Sequence, residues 1–167
     1  MPAAHPLLSI RPANADDMPL IRQFIAELAV YERLADAAVA TDEDLRVQLF
    51  GPQPAAEVLI GEVDGEPAGF ALFFHSFSTF LGKRGLYLED LFVRPRFRGA
   101  GLGRHLMAAL ARIAVQRGCG RFEWSVLDWN EPAIGFYRSL GAIGMDGWTV
   151  QRLDGDALHA LAARDAL

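Results

Sequence analysis

At 167 residues, with 51% hydrophobic and 22% charged side chains, the chain fits one folded domain with a single sizeable core and not a disordered segment. A net charge of −5 and a pI near 5.3 argue against nucleic-acid or anionic-membrane binding. The acidity suits a cationic substrate without singling one out.

Leu7 to Arg11 reads as a short strand ended by Pro12. Asn14 or Asp16 caps a helix whose Ile21, Phe24, Ile25 and Leu28 repeat at i, i+3, i+4, i+7. Thr41 followed by Asp44 has the form of a capping box for a second helix, stopped by Gly51-Pro52. The period then changes. Val58-Leu59-Ile60 and Phe70 to Phe74 are strand-length apolar runs, and Asp64-Gly65 between them is a hairpin signal. Leu86 to Val93 is a third run, closed by Pro95, and the stretch Ser76 to Gly85 before it reads as a loop.

A helix with Leu102, Leu106, Leu110 and Ile113 on one face follows, ending near Gly118 and Gly120. Phe122 to Leu127 alternates as a strand does. Asn130 to Leu140 reads as a helix with Pro132 in its first turn and Gly141 at its stop, Trp148 to Leu153 as a last strand, and Asp156 as the start of a short helix. This order of elements gives a mixed α/β class.

Cys119 is the single cysteine, so an internal disulfide is excluded and a reducing, cytoplasmic location is expected. His5, His75, His105 and His159 have no ligand spacing, so no metal is expected. Neither a signal peptide nor an apolar run of membrane-spanning length is read.

The most informative segment is Arg98-Gly99-Ala100-Gly101-Leu102-Gly103, where an apolar strand gives way to an amphipathic helix. Glycines allow close backbone approach, and the free N–H groups of a helix start can hold phosphate. Arg98 and Arg104 flank the loop and can pair with phosphate oxygens. GxGxxG fails in both registers, since its sixth position is Arg104 or Leu106, and no GKS or GKT follows as a P-loop requires. The pattern Q/R-x-x-G-x-G/A of a CoA pyrophosphate loop is matched in full.

Three segments now resemble a known family. Tyr87-Leu88-Glu89-Asp90-Leu91-Phe92-Val93, the glycine loop, and Trp129-Asn130-Glu131-Pro132-Ala133 with Phe136-Tyr137 look like successive signatures of the diamine acetyltransferases of the GNAT superfamily, which include thialysine acetyltransferase-like members. Glu27 to Glu32 resembles the family's first helix, and the likeness runs from Ile10 to about Ala162. It implies a mixed sheet splayed between its fourth and fifth strands, with acetyl-CoA in the gap, and a homodimer. On the acetyl-CoA side it implies Leu91, Phe92, Val93, then Arg98, Gly99, Ala100, Gly101, Leu102, Gly103 and Arg104, then Asn130, Glu131, Pro132 and Ala133. On the amine side it implies Tyr31, Glu32, Glu89, Glu123, Trp124 and Ser125.

Acetyl transfer to an amine needs a deprotonated nitrogen, a thioester carbonyl held close to it, a donor for the developing oxyanion and a proton for the leaving thiolate. Glu89 is the candidate for binding or deprotonating the amine, directly or through water; a surface ion pair with Arg84 or Arg94 is the plainer alternative. Asp90, its neighbour, reads as structural. Tyr137 shares a helix face with Asn130 and Ile134; on spacing alone it is a tyrosine anchoring its helix, and the resemblance makes it the general acid. Asn130 caps that helix, lines acetyl-CoA, or does both. The oxyanion donor, on resemblance alone, is a backbone N–H near Leu91 or Phe92.

Polyamine enzymes carry acidic residues before the Glu89 strand, whereas Ser76 to Gly85 has none and contains Lys83 and Arg84. The expected acceptor is a primary amine of a small molecule, a diamine or polyamine or a thialysine-like amino acid, and the basic loop favours the shorter amines at least as well as a long polycation. Acetylation of a protein amine and a CoA-binding regulatory role are the competing readings.

Overall fold

A computed structural model describes residues 5–164, which divide into two compact units, 5–127 and 128–164. In the first, Asn14 accepts from the Asp16 N–H and caps a single 3-10 turn, from which α1 (Met18–Tyr31) continues. Helix α2 (Asp42–Phe50) begins with the expected capping box, Thr41 and Asp44 each accepting the other's backbone N–H.

Five strands form one sheet in the order β1 (Leu8–Pro12), β2 (Glu57–Val63), β3 (Glu66–Ser78), β4 (Lys83–Val93), β5 (Arg121–Trp124). The first three pairings are antiparallel. The β4–β5 pairing is parallel and made through helix α3 (Leu102–Gln116), because a parallel neighbour requires a crossover. The sheet is thus mixed, as expected. Asp64 and Gly65, with φ of 51° and 80°, form the two-residue turn between β2 and β3, where both central residues of a primed turn need positive φ.

The segment Ser76 to Gly85 is not a loop. β3 and β4 pair from Gly69↔Val93 out to Ser78↔Lys83, leaving a tight turn. Its side chains are too mixed in polarity to announce a strand, and the ladder to the neighbouring strand supplies what propensity does not.

Val58, Ile60, Phe70, Leu72 and Phe92 of one sheet face pack with Met18, Ile21, Phe24, Leu28 and Leu49 of α1 and α2. Phe24 stacks on Phe70 with centroids 5.3 Å apart. Helix α3 covers the opposite face; Leu102 lies over Gly61, where an added Cβ would come within 2.9 Å of it. Each of these large buried side chains contributes roughly 1.5–3 kcal/mol.

Arg94, directly after β4, clamps α1. Its Nε and a terminal nitrogen donate to the two Glu27 carboxylate oxygens at 3.0 and 3.1 Å, its other terminal nitrogen donates to the Pro67 carbonyl, and its guanidinium lies 4.6 Å from the Phe24 ring centroid. The pair is largely withdrawn from water, so Glu27→Ala is expected to lower unfolding free energy by about 1.5–3 kcal/mol. A urea midpoint equal to wild type would contradict this.

In the second unit, α4 (Glu131–Ser139) is capped by Asn130, whose side chain accepts from the Ala133 N–H, and Gly141 follows with φ of 94°. The expected strand at Trp148 to Leu153 does not form; the chain there has no ladder, and Trp148 and Val150 are exposed. Its apolar residues match strand composition, but composition supplies no pairing partner. Helix α5 (Gly155–Ala162) follows.

Candidate active site

The centre of the site is the second half of β4. β5 pairs with β4 only over Gly85–Leu88. Among the described residues no strand accompanies Glu89 to Val93 on that side, so the sheet splays as expected and leaves a backbone edge able to hydrogen-bond a ligand.

The break coincides with a β-bulge. Leu72 pairs with Asp90 and Phe73 with Leu88, so Glu89 is the extra residue. Leu86 and Leu88 follow Phe73 and His75 on the α3 face, whereas Asp90 and Phe92 follow Leu72 and Phe70 on the α1 face. Asp90 is thereby turned toward the layer that contains α1. It is half-buried there, and burial first, then the charges of Glu89 and Glu32, push its carboxyl up to about 7. Glu32, at the end of α1, is also raised, by burial and then by Glu89. Glu89 itself is exposed. Three carboxylates therefore feel one another at the point where the sheet opens.

From the sequence alone Asp90 reads as structural. The available signal was that strict alternation places Asp90 inward with Leu86 and Leu88, a cost that a bulge or a function must explain.

The other residues expected on the amine side are divided by the sheet. Glu123 is the register partner of Tyr87, and the Tyr87 hydroxyl lies 3.0 Å from Ser125 Oγ, which puts Glu123 and Ser125 beside Tyr87. Trp124 is the partner of Leu88 and contacts the Phe122 ring at 4.9 Å, on the α3 side. Tyr31 ends α1 at 6.4 Å from the Phe92 ring, next to Glu32.

After β4 the glycine loop has the predicted form. Gly99 and Gly101 have φ of 87° and 90°, and α3 starts at Leu102 with Gly101 as its cap residue. An added Cβ at Gly99 would meet nothing and at Gly101 only Leu8 at 3.9 Å, so handedness and not room requires glycine at both. The helix start presents the orphan N–H groups that suit phosphate. Leu102 and Phe92 are buried, so their side chains serve the core and only their backbone groups can serve a ligand. Arg98 donates its Nε–H to the Val93 carbonyl at 2.9 Å.

In the second unit, Tyr137 is half-buried on α4 and meets Phe136 ring to ring at 5.4 Å; Asn130 is buried, with Glu131, Pro132 and Ala133 forming the first turn. His75 lies away from the carboxylates, on the α3 side of the sheet. Its Nε2 is 3.5 Å from Arg117, which is paired with Glu57 at 2.6 and 2.9 Å; burial and the Arg117 charge lower its pKa.

A sequence profile described as "Acetyltransferase (GNAT) family" matches residues 27–142. The chain is 37% identical to a thialysine N-epsilon-acetyltransferase of Sus scrofa, over 93% of this chain and 97% of the relative. It is 35% identical to an L-ornithine N5-acetyltransferase of Arabidopsis thaliana, over 96% and 90% of the two chains. Among solved structures, an integron cassette protein from the mobile metagenome of V. cholerae superimposes with a TM-score of 0.78 at 29% identity, covering 94% of this chain and 98% of that one.

Proposed function

The chain belongs to the GNAT acetyltransferase family and is an acetyl-CoA-dependent N-acetyltransferase, and on that premise we propose that its acceptor is the terminal amine of a small amino acid such as thialysine or ornithine. The observation that carries this reading is the group Glu32, Glu89 and Asp90 at the splay of β4, beside the glycine loop. Clustered carboxylates attract a cationic amine into a partly desolvated site. The absence of acid between Ser76 and Gly85, together with Lys83 and Arg84, disfavours a long polycation.

Acetyl-CoA supplies the activated acetyl group. Gly99 to Gly103 and the N–H groups opening α3 fit its pyrophosphate, with Arg98 and Arg104 as cations, and the unpaired edge of Leu91, Phe92 and Val93 fits the amides of its arm. The family resemblance gives Asn130, Glu131, Pro132 and Ala133 a role toward the same ligand. Glu89 takes a proton from the bound ammonium, directly or through water, and the neutral nitrogen attacks the thioester carbonyl. A backbone N–H near Leu91 or Phe92 holds the oxygen as charge develops, and Tyr137 gives its phenolic proton to the departing sulfur. The N–C bond forms and the C–S bond breaks without a covalent enzyme intermediate, and the second proton shed by the nitrogen restores the Tyr137 phenol through solvent. A homodimer in the cytoplasm belongs to the same proposal. Exposed Ile143, Trp148 and Val150 support a partner surface, and no described helix is long and apolar enough to cross a membrane.

The test is an amine panel with acetyl-CoA, following thiol release. Thialysine and ornithine are expected to turn over with higher kcat/KM than spermidine; turnover of none of them would end the proposal. A second expectation concerns the loop. Gly101→Ala forces a side chain into left-handed backbone at roughly 1–2 kcal/mol, so KM for acetyl-CoA should rise about tenfold while kcat is largely kept. An unchanged KM would remove the loop from the binding role.

A further inference from the structure

Two arginines four residues apart, Arg94 and Arg98, grip two α1 residues four apart, Glu27 and Tyr31. Residues at that spacing lie one above the other on a helix. The grips differ in kind. Arg94 is partly buried and holds Glu27 through two charge-assisted hydrogen bonds, which makes it a permanent clamp. Arg98 is exposed; its guanidinium carbon lies 4.9 Å from the Tyr31 ring centroid and 5.7 Å from that of Phe92, and among the described residues only its Nε–H has a hydrogen-bond partner, the Val93 carbonyl. Its two terminal NH2 groups carry four of its five donors. The next residue, Gly99, begins the left-handed loop that leads into α3.

We infer that Arg98 is a positioning residue that ties the amine wall to the phosphate loop, so that CoA bound at the loop tightens amine binding. This rests on the reading of the two ligands above. An exposed cation–π stack is weak, and an exposed arginine keeps much of its rotamer freedom. A pyrophosphate engaging the terminal NH2 groups would fix the guanidinium plane. The plane lies over Tyr31, so that ring and the end of α1, including Glu32, would lose freedom with it. The amine then meets a wall already ordered, and the ordering cost falls on the first ligand alone. By linkage, the amine must tighten CoA binding by the same factor.

Titration calorimetry with CoA, which has no acetyl group to transfer, and thialysine tests this on the full chain. Wild type is expected to bind thialysine at least about fivefold more tightly when saturated with CoA, with the reciprocal effect on CoA. Arg98→Lys keeps a cation for phosphate but lacks the planar face, so CoA should still bind while the coupling falls below about twofold. Tyr31→Leu should likewise lose the coupling, and Tyr31→Phe, which keeps the ring, should retain it. A merely structural role would change affinities without changing their ratio. Wild-type coupling in Arg98→Lys, or its absence in wild type that binds both ligands, overturns the inference and leaves the acetyltransferase reading intact. Failure of wild type to bind CoA overturns both.

Discussion

Replacing Tyr137 by phenylalanine lowers kcat for acetyl transfer by roughly 10²–10⁴-fold, the range of a general acid, and changes CoA affinity less than about twofold. The substitution removes one hydroxyl and keeps the ring that meets Phe136, so α4 should fold as before. Without a donor, sulfur must leave as a free thiolate, and the loss should shrink for acyl donors whose leaving thiol is more acidic. Initial rates at saturating acetyl-CoA, with CoA binding measured separately, check both parts. An unchanged kcat would assign Tyr137 to holding its helix and nothing more.

Asp90→Asn is expected to act on stability and on amine recognition in opposite directions. The ordinary value for this carboxyl is 3.8 and the folded value is about 7. Between those pH values the folded chain binds the proton that the unfolded chain has lost, so wild-type stability falls as pH rises through this window and is lowest above about 7. Asparagine cannot ionise. The variant should therefore be more stable than wild type at pH 8, by up to about 4 kcal/mol, with the difference vanishing below about pH 4. Amine affinity should fall in the variant above pH 7, where wild type offers one more negative charge. The rise of kcat/KM for the amine through pH 7 should flatten. Denaturant melts across pH and kcat/KM profiles would show this; a variant less stable at pH 8 would mean that Asp90 has a cationic partner offsetting its burial.

Much of this was legible in the residues. The capping box at Thr41 and Asp44, the Asp64-Gly65 turn and the glycine loop each need a side chain or a φ value that few residues supply, so local sequence specifies them. The paired portion of β4 and the α1 face could be read from periodicity. The bulge at Glu89 could not, because it depends on which β3 residue faces which β4 residue, and this is decided across the sheet. The face that Asp90 takes follows from the same cross-sheet register. The outer part of the β3–β4 hairpin reads as a loop because Ser76, Ser78, Lys83 and Gly85 carry no strand signal. The stack of Arg98 on Tyr31 joins residues 67 positions apart, and the glycine-loop pattern assigns Arg98 to phosphate alone.

The bulge has one consequence for how this strand tolerates change. Exchanging Glu89 for another residue alters a charge and leaves the ladder as it is. Omitting it closes the bulge and leaves the downstream faces where they are: Leu88 still pairs with Phe73 and Asp90 with Leu72, so Phe92 stays in the α1 layer. In a deletion scan of the strand, loss of position 89 should leave a folded protein, whereas loss of the regularly paired Leu91 should carry Phe92 out of the α1 layer and prevent folding. The extra step in the backbone is therefore dispensable to the ladder, and its loss should appear in acetyl transfer and not in folding.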